Sequence, residues 1–275
     1  MSTCIIILIS YLYVYYLLSS YRQRDRGFIE MLERIRRGDK HDLAALNQRC
    51  SGAALKSSAD RTPDVVLPTK IFTHKREVDS VNRNELQKCS SGAGGAPMEE
   101  RVYKASDSGD ARYHQPHQSH FPVKPTITLC IGAQVMLMKN IDVPGGLVNG
   151  ARGVVVRFIK ETNSPVVKFA TGETRTINRE HFSVQFGGRT VASRAQYPLD
   201  LCWAVSVHKA QGMTVDRVEL HLRNVFEYGQ AYVALSRVRT IAGLKLLAPL
   251  VADNIKAHPA VVQFYHDIEK TTNRM

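Results

Sequence analysis

Apolar residues change their spacing along the chain, and each change marks a new kind of element. From Phe28 they recur at i, i+3, i+4 and i+7, as Phe28, Met31, Leu32 and Ile35, which predicts an amphipathic helix stopped at Gly38. Asp39 is placed to cap a second helix through Leu43 and Leu46. A small, polar loop covers residues 50–63. Val65, Val66 and Leu67, then Ile71 and Phe72, straddle Pro68 and predict a strand. The following helix runs to about Leu86 with Val78 and Val81 inward.

Residues 89–125 are polar and glycine-rich, carry Ser-Ser-Gly-Ala-Gly-Gly-Ala-Pro from Ser90, and show no apolar period, so they are expected to form a flexible linker. From residue 126 the pattern becomes one of short strands, at 134–138, 153–159, 166–169, 174–177 and 182–186. Gly145-Gly146, Asn149-Gly150, Thr171-Gly172 and Gly187-Gly188 separate them as turn signals, and Asn149-Gly150 suits a hairpin. That spacing predicts a small β-barrel over residues 126–196. After Tyr197-Pro198-Leu199, strand and helix alternate again. Three apolar runs, 204–205, 218–222 and 244–247, read as buried strands, and Tyr232, Leu235 and Val238 fall at helical spacing between the last two.

The α/β pieces at 21–88 and 197–275 are each too short for a covered parallel sheet. Together they make one lobe carrying the barrel as an insertion. Residues 1–20 stand apart. The run at 4–18, Cys-Ile-Ile-Ile-Leu-Ile-Ser-Tyr-Leu-Tyr-Val-Tyr-Tyr-Leu-Leu, is short for a spanning helix and lacks the flanks of a signal peptide. It reads as a buried strand or as sequence foreign to the domain, with a membrane anchor as the lesser alternative.

Charge points to a partner. The 275 residues hold 37 Lys plus Arg against 25 Asp plus Glu, a formal net charge of +12, which favours a polyanion and above all nucleic acid. The five cysteines, Cys4, Cys50, Cys89, Cys130 and Cys202, form no CxxC pair, so neither a disulfide framework nor a zinc site is indicated. His114, His117 and His120 share a three-residue spacing, but Pro116 opposes the helix that would bring them together, and no metal site is expected.

Chemistry concentrates between the apolar runs after residue 203. The first gap holds Ser206-Val207-His208-Lys209-Ala210-Gln211-Gly212-Met213-Thr214, and the second holds Gly229-Gln230-Ala231-Tyr232-Val233-Ala234-Leu235-Ser236-Arg237. A strand ending in hydroxyl, small and basic residues offers a contact for phosphate. An arginine fixed on a packed helix suits stabilisation of charge on a phosphoryl group.

These two stretches resemble motifs five and six of the Pif (petite integration frequency) DNA helicases, relatives of RecD in superfamily one. Residues 132–156 resemble the family's accessory barrel, residues 67–86 the start of its second motor lobe, and Tyr21-Arg22-Gln23 with residues 28–38 that lobe's first turns. The resemblance implies an α/β fold, a RecA-like second motor lobe with an inserted small β-barrel. It implies that Arg237 is an arginine finger toward the nucleotide's terminal phosphate and that Arg22 is a second nucleotide-sensing arginine. Gln211, Gly212 and Gln230 would lie near the nucleotide. Ser206, His208, Lys209, Thr73, His74 and Arg76 would lie near DNA phosphates, with Arg239 and Lys245 extending the same basic face.

The sequence contains no GxxxxGK[ST], and no apolar strand ends in Asp-Glu. In the family those groups come from the first motor lobe. The expectation is therefore the C-terminal portion of an ATP- and Mg²⁺-dependent 5′ to 3′ helicase, acting on single-stranded DNA or forked duplex in the nucleus or mitochondrion. Alone it should neither hold ATP tightly nor unwind DNA, and a separate chain is one possible source of the first lobe. The alternative is a non-catalytic nucleic-acid-binding or regulatory protein derived from such an enzyme.

Overall fold

The computed structural model describes residues 22–51, 64–92, 99–114 and 120–272. In chain order they form α1 (Arg26–Arg36), α2 (Leu43–Ser51), β1 (Thr69–Phe72) and α3 (Lys75–Ser90). Strands follow as β2 (Glu100–Lys104), β3 (Ser106–Gly109), β4 (Thr126–Cys130), β5 (Gln134–Leu137), β6 (Arg152–Phe158) and β7 (Pro165–Phe169). Next come β8 (Thr174–Thr176), β9 (Glu180–Phe186), β10 (Arg189–Gln196), β11 (Leu199–Leu201) and β12 (Ala204–Ser206). The chain ends with α4 (Val207–Ala210), β13 (Val218–His221), α5 (Gln230–Leu235), β14 (Leu244–Leu246) and α6 (Pro259–Thr272).

Two compact units emerge. The first joins the described residues up to Ser51 with Pro68–Val78 and everything from Val205 onward. Its sheet has the order β12-β1-β13-β14, with β1 and β13 parallel and β13 and β14 parallel. Such strands need crossovers, and their near-continuous burial fits coverage on both faces: Ile71, Val218, Leu220, Leu244 and Leu246 are all at most 2% exposed. Helix α1 buries Phe28, Met31, Leu32 and Ile35, the four positions picked out by their spacing. Gly38 ends it at φ 83°, where a Cβ would also meet that of Ala257 at 3.2 Å. Asp39 does not cap α2. Its carboxylate accepts from the His41 N–H at 2.9 Å and closes the turn before the helix. Helix α2 is tied down instead by Asn47, whose amide donates to Leu250 O at 2.9 Å and accepts from Leu250 N at 2.8 Å.

The second unit holds residues 64–67 of the described chain and Asp79–Ala204. Its core gathers Tyr103, Leu129, Val135, Leu137, Val155, Val167, Phe169 and Trp203. Three expectations change here. Residues 89–125 are not simply a linker: β2 pairs antiparallel with β4, placing Tyr103 edge-on to Tyr197 at 4.5 Å, and β3 pairs with β10. Neither strand carries the alternation that would announce it, because partners distant in sequence hold both. The five expected strands do appear, as β5 to β9, and β4, β10 and β11 come in addition, but hydrogen bonding divides the strands into sheets of five (β11-β5-β6-β7-β8), three (β3-β10-β9) and two (β2-β4) rather than one closed barrel. The unit boundary also moves, since all but the first turn of α3 belongs with the strands instead of with the lobe.

Among the described residues no helix is long and apolar enough to cross a membrane, and the 4–18 run lies outside them. His114 stacks on Phe121 and His120 meets the edge of Tyr113, while His117 lies outside the described residues.

Candidate functional site

Helix α5 opens at Gly229, whose φ of 72° turns the chain and whose N–H donates to Lys256 O at 2.8 Å. It buries Gln230, Ala231, Ala234 and Leu235 and stops at Ser236. The backbone is then fastened to the segment before β13, with Val215 N donating to Arg237 O at 3.0 Å and Arg239 N to Val215 O at 3.1 Å. Arg237 is thus held in a rigid frame, buried and not itself among the residues that line the cleft described next. Its Nε donates to Val233 O and its Nη2 to Ser236 Oγ, both at 2.6 Å, and only 7% of the residue is exposed. Burial first, and then the like charge of Arg22, lower its pKa to about 10.

Arg22 reaches the same place from the far end of the chain. Its Nε donates to Thr214 Oγ1 at 2.9 Å and its Nη1 to Ser236 O at 3.3 Å. Gln23 completes the frame by donating to Ser236 O at 2.9 Å and Val238 O at 3.0 Å, the carbonyls on either side of Arg237. Arg22, Arg24, Thr214, Arg239 and Thr240 line a cleft of about 640 Å³. Among the described residues no carboxylate lines it, although Asp216 pairs with Arg239 at its edge. Guanidinium forks and hydroxyls match the oxygens of a phosphate chain.

A second polar face lies where β1 and β13 end side by side, Phe72 opposite His221. The carboxyl ends of parallel strands are where such sheets bind ligands. Ser206 caps α4, accepting from Lys209 N at 3.3 Å, and leaves His208 and Lys209 exposed. His208 meets Glu227 at 2.8 Å. Thr73 is buried with its Oγ1 unpartnered, His74 stacks on Phe226 with centroids 4.8 Å apart, and Arg76 is exposed.

The expected residues therefore divide. Gln211 and Gly212 are exposed and lead directly to Thr214 at the cleft. Arg239 lines that cleft too, and pairs with Asp216 at 3.3 Å, instead of extending the face that holds His74. Lys245 is drawn to Glu219 at 3.6 Å on the neighbouring strand. Gln230 is 3% exposed and does not reach the cleft; its Oε1 accepts from Phe226 N at 3.3 Å. Gln23, Thr214 and Phe226 escaped the sequence reading. Gln23 and Thr214 each adjoin or end a stretch already singled out, which was the available signal.

The chain is similar in sequence and fold to known proteins. The family described as DNA helicase Pif1, 2B domain, matches residues 118–158. The ATP-dependent DNA helicase PIF1 of Xenopus laevis is 41% identical over 257 residues, spanning 90% of this chain and 37% of that relative's length. The crystal structure of a Pif1 helicase from Candida albicans superimposes with a TM-score of 0.72 at 30% identity, covering 91% of this chain and 60% of that one. A Pif1 helicase from Bacteroides in complex with ADP-AlF3 and single-stranded DNA gives 0.65 at 28% identity, covering 92% and 56%.

Proposed function

From a chain that is a partial Pif1-like helicase region, the C-terminal part, we infer the second motor lobe of an ATP-dependent 5′ to 3′ DNA helicase. The observation that carries this reading is the convergence of Arg22 and Arg237 on Ser236 beside a cleft lined by Arg22, Arg24 and Arg239. ATP, when held by a partner lobe, supplies the phosphoryl transfer that drives translocation. The chain's own part is to offer guanidinium donors to the terminal phosphate from Arg237 and Arg22. Gln23 and the Val215 bridge hold those donors still. A finger of this kind is worth about 10³ to 10⁵ in rate, but only on a nucleotide already held elsewhere.

Ser206, His208, Lys209, Thr73, His74 and Arg76 form the side that grips single-stranded DNA or a forked duplex, by charge and without reading sequence. Such an enzyme acts where DNA is, in the nucleus or a mitochondrion, in unwinding steps of replication, repair or telomere maintenance. Mg²⁺ would be held by the lobe that supplies the phosphate loop.

The test is single-strand binding and DNA-stimulated ATP hydrolysis by this chain, beside Arg237→Ala. Salt-sensitive binding without hydrolysis is expected. Hydrolysis abolished by Arg237→Ala would mean the chain completes a nucleotide site by itself, and absence of binding would remove the DNA-gripping role.

A further inference from the structure

The cysteines are scattered along the sequence, and the fold brings two of them together. Cys130 ends β4 and is 0% exposed in the core of the strand-rich unit, while Cys89 lies in the last turn of α3, half-buried against the same core. Both are free thiols, within hydrogen-bonding reach of each other. The Cys89 Sγ–H donates to Ile131 O at 3.2 Å, so the Cys130 thiol is the donor in the contact between the two sulfurs. Gly132 leaves room for this approach, since a Cβ there would stand 3.1 Å from Cys89 Sγ and crowd it.

Their surroundings set the two thiols apart. The hydrogen bond to Cys89, together with burial, holds the Cys130 thiol protonated, far above the ordinary cysteine range. A thiol that stays protonated beside a second sulfur donates to that sulfur's thiolate and stabilises it. Cys89 is also the member of the pair that solvent reaches. Its place at the carboxyl end of α3 works against negative charge, so its oxidation is slow beside that of a dedicated thiol peroxidase.

We infer that Cys89 and Cys130 form a peroxide-sensitive thiol pair, in which Cys89 is oxidised first and Cys130 then closes a disulfide onto it. The Cys89 thiolate attacks one oxygen of hydrogen peroxide, the O–O bond breaks, and the departing hydroxide takes the proton that Cys89 gave up. The Cys130 sulfur attacks the sulfenic acid so formed: the S–S bond forms, the S–O bond breaks, and hydroxide leaves as water with the Cys130 proton. Two thiols and one peroxide give one disulfide and two waters. A bonded pair stands about 2.05 Å apart, so closure draws Cys89 away from Ile131. Helix α3 ends one residue later, at Ser90, and a terminal turn yields more readily than a helix interior. The disulfide staples the end of α3 to β4 and closes the loop that carries β2 and β3, a long loop whose closure strongly constrains the unfolded chain. In a reducing compartment the pair rests open and closes only as peroxide rises. It is independent of the proposed DNA grip, and either can fail alone.

The experiment treats the whole folded chain with hydrogen peroxide, blocks the remaining thiols and maps its peptides without reductant. Urea unfolding through Trp203 is followed before and after, for the parent, Cys89→Ala and Cys130→Ala. The parent should yield a peptide linking Cys89 to Cys130 and a urea midpoint raised by about 1 M, both reversed by dithiothreitol. Cys89→Ala should keep its midpoint under peroxide. In Cys130→Ala, Cys89 should stop as the sulfenic acid and be captured by dimedone. If Cys130→Ala does not fold, the parent and Cys89→Ala decide alone. A folded parent in which both thiols survive peroxide, or in which Cys89 links only to another cysteine, overturns the pair. So does a midpoint that rises equally in Cys89→Ala.

Discussion

Asp107→Ala should be among the most damaging single changes outside the hydrophobic core. Arg194, on β10, has only 4% of its side chain exposed, and its Nε and Nη2 donate to the two Asp107 oxygens at 2.7 Å each. The guanidinium also donates to Val123 O at 3.1 Å and lies 4.7 Å from the Phe121 ring centre. Removing Asp107 strands a buried charge, which costs about 3–5 kcal/mol where no partner remains. The Val123 carbonyl and the Phe121 face still offset part of that, so about 3 kcal/mol is expected. Removing both charges, as Asp107→Ala with Arg194→Met, should recover most of the loss, because the methionine keeps the packing and nothing charged is left inside. Urea unfolding followed through Trp203 isolates the effect, since that single tryptophan is 7% exposed in the core of the same unit. If the double variant is as unstable as Asp107→Ala, the loss comes from the pairing of β3 with β10 and the stranded-charge argument is wrong.

Acid should act through the same pair. The hydrogen bond from Arg194 holds the Asp107 carboxyl below its ordinary value of 3.8. Its contribution to stability is therefore complete above pH 3.8 and is lost as pH falls from there through the lowered value, so the urea midpoint should drop in that window in the parent and much less in Asp107→Ala. In the other unit, Gly243→Ala should cost about 3 kcal/mol, because the added Cβ would stand 1.9 Å from Asp216 O and 2.9 Å from Val238 Cγ2, against backbone that cannot swing aside. Thermal melting by circular dichroism measures it, and a melting temperature unchanged within error would contradict the geometry.

Helix α1 was legible because its apolar stripe is regular and all four members turn inward. Strands β6 to β9 were legible from turn glycines between short apolar runs. Strand β3 was not, since Ser-Asp-Ser-Gly has no apolar residue and is held by an ion pair with a residue 87 positions away. Arg237 stood out through the stretch around it, whereas Gln23 gains its role only from carbonyls 213 and 215 residues on, which no local spacing records. Gln230 misled for the opposite reason: its place in the motif suggested a ligand contact, and the fold turns its carbonyl oxygen onto the Phe226 N–H.

The order of strands in the lobe bears on how the protein is made. Strand β1 lies between β12 and β13, so neither neighbour exists when Phe72 leaves the ribosome. At roughly 5–20 residues per second, His221 follows on the order of ten seconds later. The whole of Asp79–Ala204 is synthesised in that interval and can fold first. Until β12 and β13 follow, Ile71 and Phe72 remain an unpaired apolar edge, open to pairing with another chain.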